Sequence, residues 1–583
     1  MKSIINILFV LLFTATQSGL AQIFPGTEHF RTSRNLPFRE IKVNKIIRVS
    51  DYKKGNATDA EAIENALNAL VKINGSAELI FEAKKYEVDF KGESSFFFSI
   101  ANIADKVIDG NGAEIILKNP TKGFLQLKNA KHCIVKNLKV DYSPLPFVQG
   151  IITSVDITNK TAECLIENGF PTFEDDHIKN APQNWAMLKD SLHPGRQKEN
   201  VKAGFNASGV EEISKNLYRL SFNGDQIKSF SKGDVYVQIG RYNGATIVNM
   251  LNCEKISLIN ITVYSSPAGG FNANGSSEIN ILDCNILIKP GRFISTNADC
   301  LHHIGEKIGT WVEGCSFEGH SDDTFNFKWG KVAVLEQPSD KTLVTSKEIS
   351  KNEMLWIYNP RDGVLIDTVF VTNCEKTGNR SYTLSLSKCI PTLVMNAKKQ
   401  ISDQIYVDSE RNESFVIRNN IIRNHRRYGM LLQSGYGLVE NNRFENSSNS
   451  AIVVENGVDW GEGLVAQHLL IRNNTFVNSG SDYTFLKENK AAIFIQTSKL
   501  ENIASKTKWC GVIPAPWRGM SDIKIENNLF ELEKGSAVSV ISAERIVIRN
   551  NIFKTKDNYT TPYILKENAT VTEQNNNHQL ITN

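Results

Sequence analysis

The chain has 583 residues, of which 41% are hydrophobic and 22% are charged, an ordinary composition for a soluble protein. Its formal net charge of +3 excludes the strong basic field by which many proteins bind nucleic acid. The length predicts either several modules or one long repetitive body.

The first 21 residues have the pattern of a secretory signal peptide. Lys2 gives a positive start, an apolar run extends from Ile4 to Phe13, and small residues precede a predicted cleavage after Ala21. The run is too short to span a bilayer, and no other long apolar run follows, so we expect no membrane insertion. We expect export, to the periplasm or outside the cell, with a membrane anchor as the alternative interpretation of the same run.

A single amphipathic helix is predicted near the start of the mature chain, from about Asp59 to Ile73. Its apolar residues Ala62, Ile63, Ala66, Leu67 and Leu70 share one face, and Thr58 or Asp59 would cap its first turn. Because repeat proteins need a cap on their open end, we expect this helix to close the stack described next.

A short strand-like pattern recurs along the chain. It has apolar residues at alternate positions around Asn, Asp or Gly, and it begins at Val135, Leu258, Ile281, Val312, Ile417, Val439, Ile471, Ile525 and Ile548. Several steps between these units are 22 or 23 residues, and the alternation within each unit is typical of strands. Such a period predicts an all-β fold, a right-handed parallel β-helix. We expect the repeated Asn-Asn pairs to stack as amide ladders at the turns.

Two long gaps interrupt the repeat, from residue 135 to 258 and from 312 to 417. Both contain short strand patterns, which predict two inserted antiparallel β modules, barrel-like in form. The predicted organisation is a signal peptide (1–21), N-terminal coils (22–149), a first inserted module (150–245), catalytic coils (246–329), a second inserted module (330–407) and C-terminal coils (408–583).

The nine cysteines lie between Cys133 and Cys510 without paired Cys-x-x-Cys spacing, which argues against a zinc site. We expect most of them to be small buried apolar residues, and a disulfide remains open in an oxidising compartment.

Acidic residues concentrate at two places one coil apart. Asp299 lies in STNADCLHHIG, and the pair Asp322 and Asp323 begins 23 residues later in GHSDDTFNFKWG. Leu301 follows Asp299 by two residues as Phe325 follows Asp323, so inward-pointing apolar residues would stack the two aspartates. Three carboxylates at one spot would raise at least one pKa, which favours a catalytic acid and base pair of the kind glycoside hydrolysis requires. The alternative is a Ca²⁺ site, but no set of carbonyl or Glu ligands accompanies the cluster, so we expect no metal and no cofactor.

Polar residues on neighbouring coils form a candidate sugar-binding column. The predicted contacts are Arg292, Asn297, His302, Asn326, Lys328, Arg427, Gln433 and Glu455, joined in the column by Asn272 and Asn274. Trp329, Trp460 and Tyr428 are candidates for stacking on a sugar face. Each position alone is equally consistent with ordinary surface, and only the set carries weight.

Four stretches together resemble glycoside hydrolase family 110, the bacterial α-1,3-galactosidases. They are VDYSPLPFVQG (140–150), VYSSPAGGFNANG (263–275), ISTNADCLHH (294–303) and GCSFEGHSDDTFN (314–326). The resemblance covers nearly the whole mature chain. It implies exo-cleavage of terminal α-1,3-linked galactose, as on blood group B structures, with inversion and without metal. It also implies a galactose-terminated oligosaccharide or glycoconjugate as the partner of a bacterial enzyme, and it carries the catalytic acids onto Asp299, Asp322 and Asp323. We expect a monomer or homodimer.

Three alternatives remain. Asn297-x-Asp299 with Asp322-Asp323 is also similar to the polygalacturonases of family 28, although that group's Gly-His-Gly and Arg-x-Lys motifs are not evident. A non-catalytic glycan-binding β-helix would keep the polar column without needing three carboxylates. A polysaccharide lyase would favour an Arg or Lys base beside Ca²⁺.

For the hydrolase we expect Asp322 to be the general acid and Asp299 with Asp323 to hold and deprotonate the attacking water. Inversion then predicts acid and base oxygens about 6.5–9.5 Å apart.

Overall fold

The computed structural model describes residues 34–89, 92–202, 204–395, 400–480, 491–504, 510–555 and 562–580. The predicted signal peptide, residues 1–21, lies outside these ranges. Within them, no helix combines the length and the apolar character needed to cross a bilayer.

The body of the protein is a parallel β-helix, as the repeat predicted. Two sheets of stacked strands run along it, and each coil contributes to both. The front sheet contains Phe96–Ala101, Gly123–Lys128, Val248–Leu251, Phe271–Asn274, Leu301–Ile304, Phe325–Lys328, Met430–Leu432, Ile452–Glu455, Ala491–Gln496, Ser536–Ile541 and Ile564–Glu567. The long sheet contains Lys45–Arg48, Ala77–Ile80, Lys85–Val88, Ala104–Leu117, Lys131–Tyr142, Glu254–Ile259, Thr262–Val263, Ser277–Leu282, Asn285–Ile286, Trp311–Glu313, Ser316–Glu318, Val416–Arg418, Ile421–Arg423, Gly435–Glu440, Arg443–Glu445, Gln467–Arg472, Thr475–Val477, Met520–Ser521, Lys524–Glu526, Leu529–Leu532, Ala543–Glu544, Ile546–Arg549, Ile552–Thr555, Val571–Gln574 and Asn577–Leu580.

Asn-Asn pairs make the bend between the two long-sheet strands of a coil. The first residue of a pair adopts the left-handed conformation, as Asn441 does with φ 56°, because a short amide side chain tolerates it. The second residue is buried: Asn442 Nδ2 donates to Asn474 Oδ1 and to the Ile417 carbonyl, both at 3.0 Å. The same contacts link Asn420, Asn442, Asn474, Asn528, Asn551 and Asn576 into one amide ladder. The predicted ladder is therefore confirmed.

The helix Asp59–Lys72 closes the N-terminal end of the coil core. Thr58 caps it through a capping box, since Thr58 Oγ1 accepts from the Glu61 amide at 3.2 Å while Glu61 Oε2 accepts from the Thr58 amide at 2.7 Å. The face predicted from the sequence is the buried one, and it packs into the same hydrophobic core as Leu79 and Tyr86 of the first coils.

The first inserted module is an antiparallel sheet with its own hydrophobic core. In spatial order its strands are Ala186–Lys189, Val235–Ile239, Phe147–Asp156, Thr161–Ile166, Leu217–Ser221 and Gly209–Ser214, with a short helix Asp176–Lys179 and a 3₁₀ turn Asp225–Ser229. The chain leaves the long sheet at Tyr142 and re-enters the front sheet at Val248, so the module stands beside the coils that carry the aspartates.

The second inserted module is also an antiparallel sheet around a separate core. In spatial order its strands are Lys331–Val332, Gln404–Val407, Met354–Asn359, Val364–Gly378, Ser381–Leu386, Thr342–Thr345 and Val334–Ser339. It leaves directly after the front-sheet strand Phe325–Lys328. The remaining described elements are the 3₁₀ turns Val49–Tyr52 and Asp408–Glu410 and the hairpin Ser498–Leu500 with Val512–Pro514.

All nine cysteines lie in the described ranges and none forms a disulfide. Seven are buried, as expected of small apolar residues, while Cys374 is half-buried and Cys389 is exposed.

Candidate active site

A cavity of about 340 Å³ opens on the outer face of the front sheet, between the first inserted module and the loop Gly457–Gly463. Asn272, His302 and Asn326 form one rung of its wall, because their strands pair in the register Asn272↔His302↔Asn326. The remaining lining residues are Gln183, Arg241, Asn243, Gly244, Thr246, Ala268, Gly269, Ala298, Asp299, Asp322, Lys328, Arg427, Leu431, Gln433, Gly457, Trp460 and Glu462.

The three predicted catalytic aspartates meet beside this rung. Leu301 and Phe325 are paired in register and fully buried, which places Asp299 against Asp323 one coil away. The Asp323 amide donates to Asp299 Oδ1 at 3.0 Å. One oxygen from each of Asp299, Asp322 and Asp323 lies within 4.8 Å of the others. The stacking of Asp299 against Asp323, inferred from the alternation of apolar residues, is therefore observed.

Asp322 lies between two arginines. Its Oδ2 accepts from Arg241 Nη1 at 2.7 Å and its Oδ1 accepts from Arg427 Nη1 at 2.6 Å. Burial opposes the ionisation of Asp322, but Arg427 and Arg241 outweigh it and hold the pKa of this carboxyl well below its usual range. Asp322 is consequently an anion at every physiological pH.

The other two carboxyls are shifted in the opposite direction. Burial, followed by the negative charges of Asp322 and Asp323, raises the pKa of Asp299 well above its usual value. Burial also raises the pKa of Asp323 to about 6, although Arg427 acts against it at 3.3 Å. Asp323 is fully buried, whereas Asp299 and Asp322 both line the cavity. These pKa directions favour a different assignment from the one expected from the sequence, because Asp299 is the carboxyl favoured to stay protonated and Asp322 is the least able to hold a proton.

The spacing of the carboxylates also differs from the expectation. The mutual oxygen distances within 4.8 Å are shorter than the interval of about 6.5–9.5 Å that inversion normally uses. The aspartates lie close together because Asp299 and Asp323 are on adjacent stacked coils. The distance between stacked strands, about 4.8 Å, fixes their separation.

Side-chain oxygens around the aspartates lack donors. The buried oxygens Asn272 Oδ1, Asn326 Oδ1, Gln433 Oε1 and Asp323 Oδ1 accept no hydrogen bond from any described residue. A buried acceptor without a partner costs about 1–3 kcal/mol, so such a group is normally matched by a ligand or water. His302 adds a ring whose pKa is lowered well below its usual value by burial and by Lys328, which keeps it neutral. The wall is therefore suited to a ligand rich in hydroxyl groups.

The far side of the cavity is made by the loop Gly457–Gly463. Glu462 accepts from Lys328 Nζ, which ties the loop to the front sheet. Gly463 has φ +65°, and a Cβ there would lie 1.8 Å from Gln433 Oε1, so only glycine lets the loop approach Gln433. Trp460 lines the cavity with 42% of its surface exposed.

Of the predicted substrate contacts, His302, Asn326, Lys328, Arg427 and Gln433 line the cavity, and their contact with substrate stays a prediction. The structure does not bring the other three there.

Each of those three residues serves a different neighbour. Arg292 pairs with Asp141 at 2.8 Å, at the edge of the first module. Asn297 is buried and donates to the Pro146 and Gly240 carbonyls, and Glu455 accepts from Ser498 Oγ at 2.6 Å while burial raises its pKa to about 7.

Two of the three predicted stacking residues are buried. Trp329 is 1% exposed, and its indole Nε1 donates to the Val465 carbonyl at 2.9 Å. Tyr428 is 5% exposed, with the Arg427 guanidinium 4.7 Å from its ring centre, so it supports Arg427. Neither ring presents a face to the cavity, which corrects the expectation for these two residues.

Four residues at the cavity were not predicted from the sequence: Arg241, Gln183 and Asn243, which come from the first inserted module and its return to the coils, and Glu462 from the loop. None of them belongs to the repeat, so the periodicity that located the aspartates carries no information about them. Arg241 carried a weak signal in the sequence, because it lies two residues after the last strand of the module, where the chain returns to the coils.

The aspartate cluster has the spacing of a cation site, but its surroundings are cationic. Asp322 already accepts from two guanidinium groups, and the positive charge of Lys328 opposes the rise in the pKa values of Asp299 and Asp323. A divalent cation would have to displace or repel these groups, so the donor set does not fit one well. The expectation of no metal remains a prediction.

Comparison with known proteins places this geometry in context. Residues 403–577 match the family model described as right handed beta helix region. The chain is 23% identical over 473 residues to alpha-1,3-galactosidase B of Akkermansia muciniphila, covering 78% of this chain and 57% of that protein. It is 23% identical over 480 residues to alpha-1,3-galactosidase B of Bacteroides thetaiotaomicron, covering 75% and 76%. An exopolygalacturonase structure from Thermotoga maritima aligns at 10% identity over 93% of both chains, with a TM-score of 0.39.

Together, the fold and these relatives make the chain a homologue of glycoside hydrolases, with a right-handed parallel β-helix as its body. The alignment spans just over half of the Akkermansia relative, 57% of its length. Within this class the chain is a homologue of the proteins named alpha-1,3-galactosidase B, which confirms its resemblance to glycoside hydrolase family 110.

Proposed function

We propose that the protein is an exo-acting α-galactosidase that hydrolyses terminal α-1,3-linked galactose from glycans such as the blood group B structure. The observation that carries the proposal is the cluster of carboxyls at one cavity, where burial and neighbouring carboxylates raise the pKa of Asp299 while Arg427 and Arg241 lower the pKa of Asp322. The linkage comes from the names of the relatives and the family resemblance. A volume of about 340 Å³ is at the lower end of ligand pockets, which suits one terminal sugar rather than a threaded chain.

Asp299 is the general acid in this mechanism. Its Oδ1 accepts from the Asp323 amide, so the proton resides on Oδ2, which lies 3.9 Å from His302 Nε2. As the bond between C1 and the glycosidic oxygen breaks, Oδ2 transfers its proton to that oxygen and the shortened glycan leaves. Asp323, buried behind Asp299, keeps the acid's pKa raised through its negative charge when it is ionised.

Asp322 acts on C1 of the galactose and on the attacking water. Its anionic carboxylate stabilises the positive charge that develops at C1 and orients a water for attack. The water's oxygen bonds to C1 as the leaving group departs, and the oxonium so formed, a far stronger acid than water, passes its proton to Asp322, so one water is consumed for each galactose released. Arg241 and Arg427 hold the Asp322 carboxylate at the wall of the cavity.

A neutral sugar is favoured over an anionic one. The cationic side chains that line the cavity already pair with carboxylates: Arg241 and Arg427 with Asp322, and Lys328 with Glu462. The carboxylate of a galacturonic acid unit would have to compete for these partners. A polygalacturonase-like hydrolase is therefore the second choice.

Inversion is the proposed stereochemical course, as the family resemblance implies. Retention is the competing course, since the close carboxylates approach the roughly 5–5.5 Å of retaining pairs. Both Asp322 oxygens accept charge-assisted hydrogen bonds, at 2.6 and 2.7 Å, which weakens this carboxylate as a nucleophile toward C1. Proton NMR of the first product formed distinguishes the two, because inversion of an α-galactoside yields β-galactose first.

The test of the function is incubation with branched and linear α-1,3-galactosyl trisaccharides, followed by separation of the products. We expect free galactose and the corresponding disaccharide, with Asp299→Asn and Asp322→Asn each slowed by about 10²–10⁴-fold. Activity of both variants at the wild-type rate, or release of an unsaturated sugar, would contradict the proposal.

We also propose export to the periplasm or outside the cell, directed by residues 1–21, and action as a monomer or homodimer. N-terminal sequencing of the protein from its native fraction tests cleavage after Ala21. Light scattering of the purified protein gives its oligomeric state.

A further inference from the structure

A second cavity, of about 430 Å³, adjoins the active-site cavity along the front sheet. The two cavities share Lys328 and Glu462 as lining residues. The ion pair between these side chains therefore lies at the junction of the two cavities. The second inserted module contributes Lys347 to the second cavity, and Glu410, just before the next coil, accepts from it.

The two cavities follow one another along the same strands. Asn272, His302 and Asn326 line the active site, and the residues two positions later, Asn274, Ile304 and Lys328, line the second cavity. Two residues of strand advance about 6.6 Å, which is on the scale of one sugar ring. A disaccharide seated with its terminal unit beside the aspartates would place its second unit in the second cavity.

The direction of proton transfer agrees with this path. The proposed proton donor, Asp299 Oδ2, faces His302, and His302 precedes Ile304 of the second cavity by two residues on one strand. Asp322 and its arginines, on the side of the attacking water, do not line the second cavity. The departing glycan is thus released on the side where the second cavity lies.

We propose that the second cavity is the subsite for the sugar unit on the reducing side of the cleaved linkage, and that it determines which aglycones are accepted. This inference rests on the proposed function. The ligand class is a neutral sugar with hydroxyl or amide groups, because the lining combines two ion pairs, Lys328 with Glu462 and Lys347 with Glu410, that offer donors and acceptors together. Gly275, Gly305 and Gly330 keep the wall free of side chains, and this leaves room for the ring.

The test fills the second cavity without touching the aspartates. Asn274 is exposed at the end of its strand and lines only the second cavity, so Asn274→Trp places a large ring there. Lys128→Trp is the matched control: Lys128 and Asn274 occupy the same register column, both paired with Leu251, and Lys128 lines neither cavity. The measurement is the ratio of kcat/KM for the α-1,3-galactosyl trisaccharide to kcat/KM for nitrophenyl α-galactoside, whose aglycone is not a sugar.

We expect Asn274→Trp to lower this ratio by about tenfold or more, while Lys128→Trp keeps it within about twofold of wild type. Lys347→Ala, which removes a polar group from the second cavity alone, should lower the ratio in the same direction and gives the test a second variant if the Trp variant does not fold. Wild-type ratios in both Asn274→Trp and Lys347→Ala would overturn the subsite while leaving the function intact. If wild-type protein cleaves neither substrate, the proposed function fails and the subsite fails with it.

Discussion

Replacing Asn442 with alanine should destabilise the β-helix strongly, because this residue is a central rung of the amide ladder. The substitution removes four hydrogen bonds: two that Asn442 Oδ1 accepts from Asn420, and two that Asn442 Nδ2 donates, to the Ile417 carbonyl and to Asn474 Oδ1. At a net value of about 0.5–1.5 kcal/mol each, their loss costs roughly 2–6 kcal/mol of unfolding free energy. The site is 2% exposed, so water does not replace the lost partners.

The assay is denaturant unfolding followed by circular dichroism, compared with Asn576→Ala at the last rung of the ladder. Asn576 makes three equivalent side-chain bonds but is only half-buried, so water can take their place and the expected loss is clearly smaller. Galactoside hydrolysis by Asn442→Ala should match wild type under conditions where the variant is folded, because the ladder is remote from the cavity. Equal midpoints for Asn442→Ala and wild type would refute the idea that the ladder stabilises the coils.

Three further predictions concern the aspartates. Asp299→Asn should impair trisaccharide hydrolysis more than hydrolysis of nitrophenyl galactoside, which needs little protonation, whereas Asp322→Asn should impair both equally; a leaving-group effect confined to Asp322→Asn would restore the roles first expected. Because folding raises the pKa of Asp299, wild type should lose stability as the pH rises above the unfolded carboxyl value of about 3.9, and Asp299→Asn should lose less over the same rise in melting experiments. Activity should survive treatment with a chelator, because Arg241 and Arg427 already donate hydrogen bonds to both carboxylate oxygens of Asp322. A loss of activity that Ca²⁺ reverses would point to a lyase.

The sequence was informative wherever a residue's position follows from the repeat. Leu301 and Phe325 each follow an aspartate by two residues, and this shared spacing placed Asp299 against Asp323. The inference works because side chains alternate along a strand and parallel coils stack in register. The doubled asparagines predicted a ladder for the same reason. These inferences need only the period of the chain.

The acid and base roles could not be derived in that way. The pKa order of the aspartates is set by Arg241 and Arg427, and Arg241 reaches Asp322 from 81 residues earlier in the chain, at the end of the first inserted module. The same limit applies to Glu455, whose place in the column suggested a sugar contact but whose carboxylate is bound by Ser498. Contacts between insertions and coils depend on three-dimensional packing that no periodicity encodes.

The division of labour between coils and inserted modules has a consequence for how such an enzyme changes over generations. The reacting carboxylates belong to stacked coils whose spacing is fixed by backbone pairing, while Gln183 and Lys347, on the walls of the two cavities, belong to the modules. Mutation, lengthening or exchange of a module can therefore alter which glycan is recognised while the chemistry stays in place. We therefore expect the coils to change little during evolution, and the two modules to be where selection for new glycans acts.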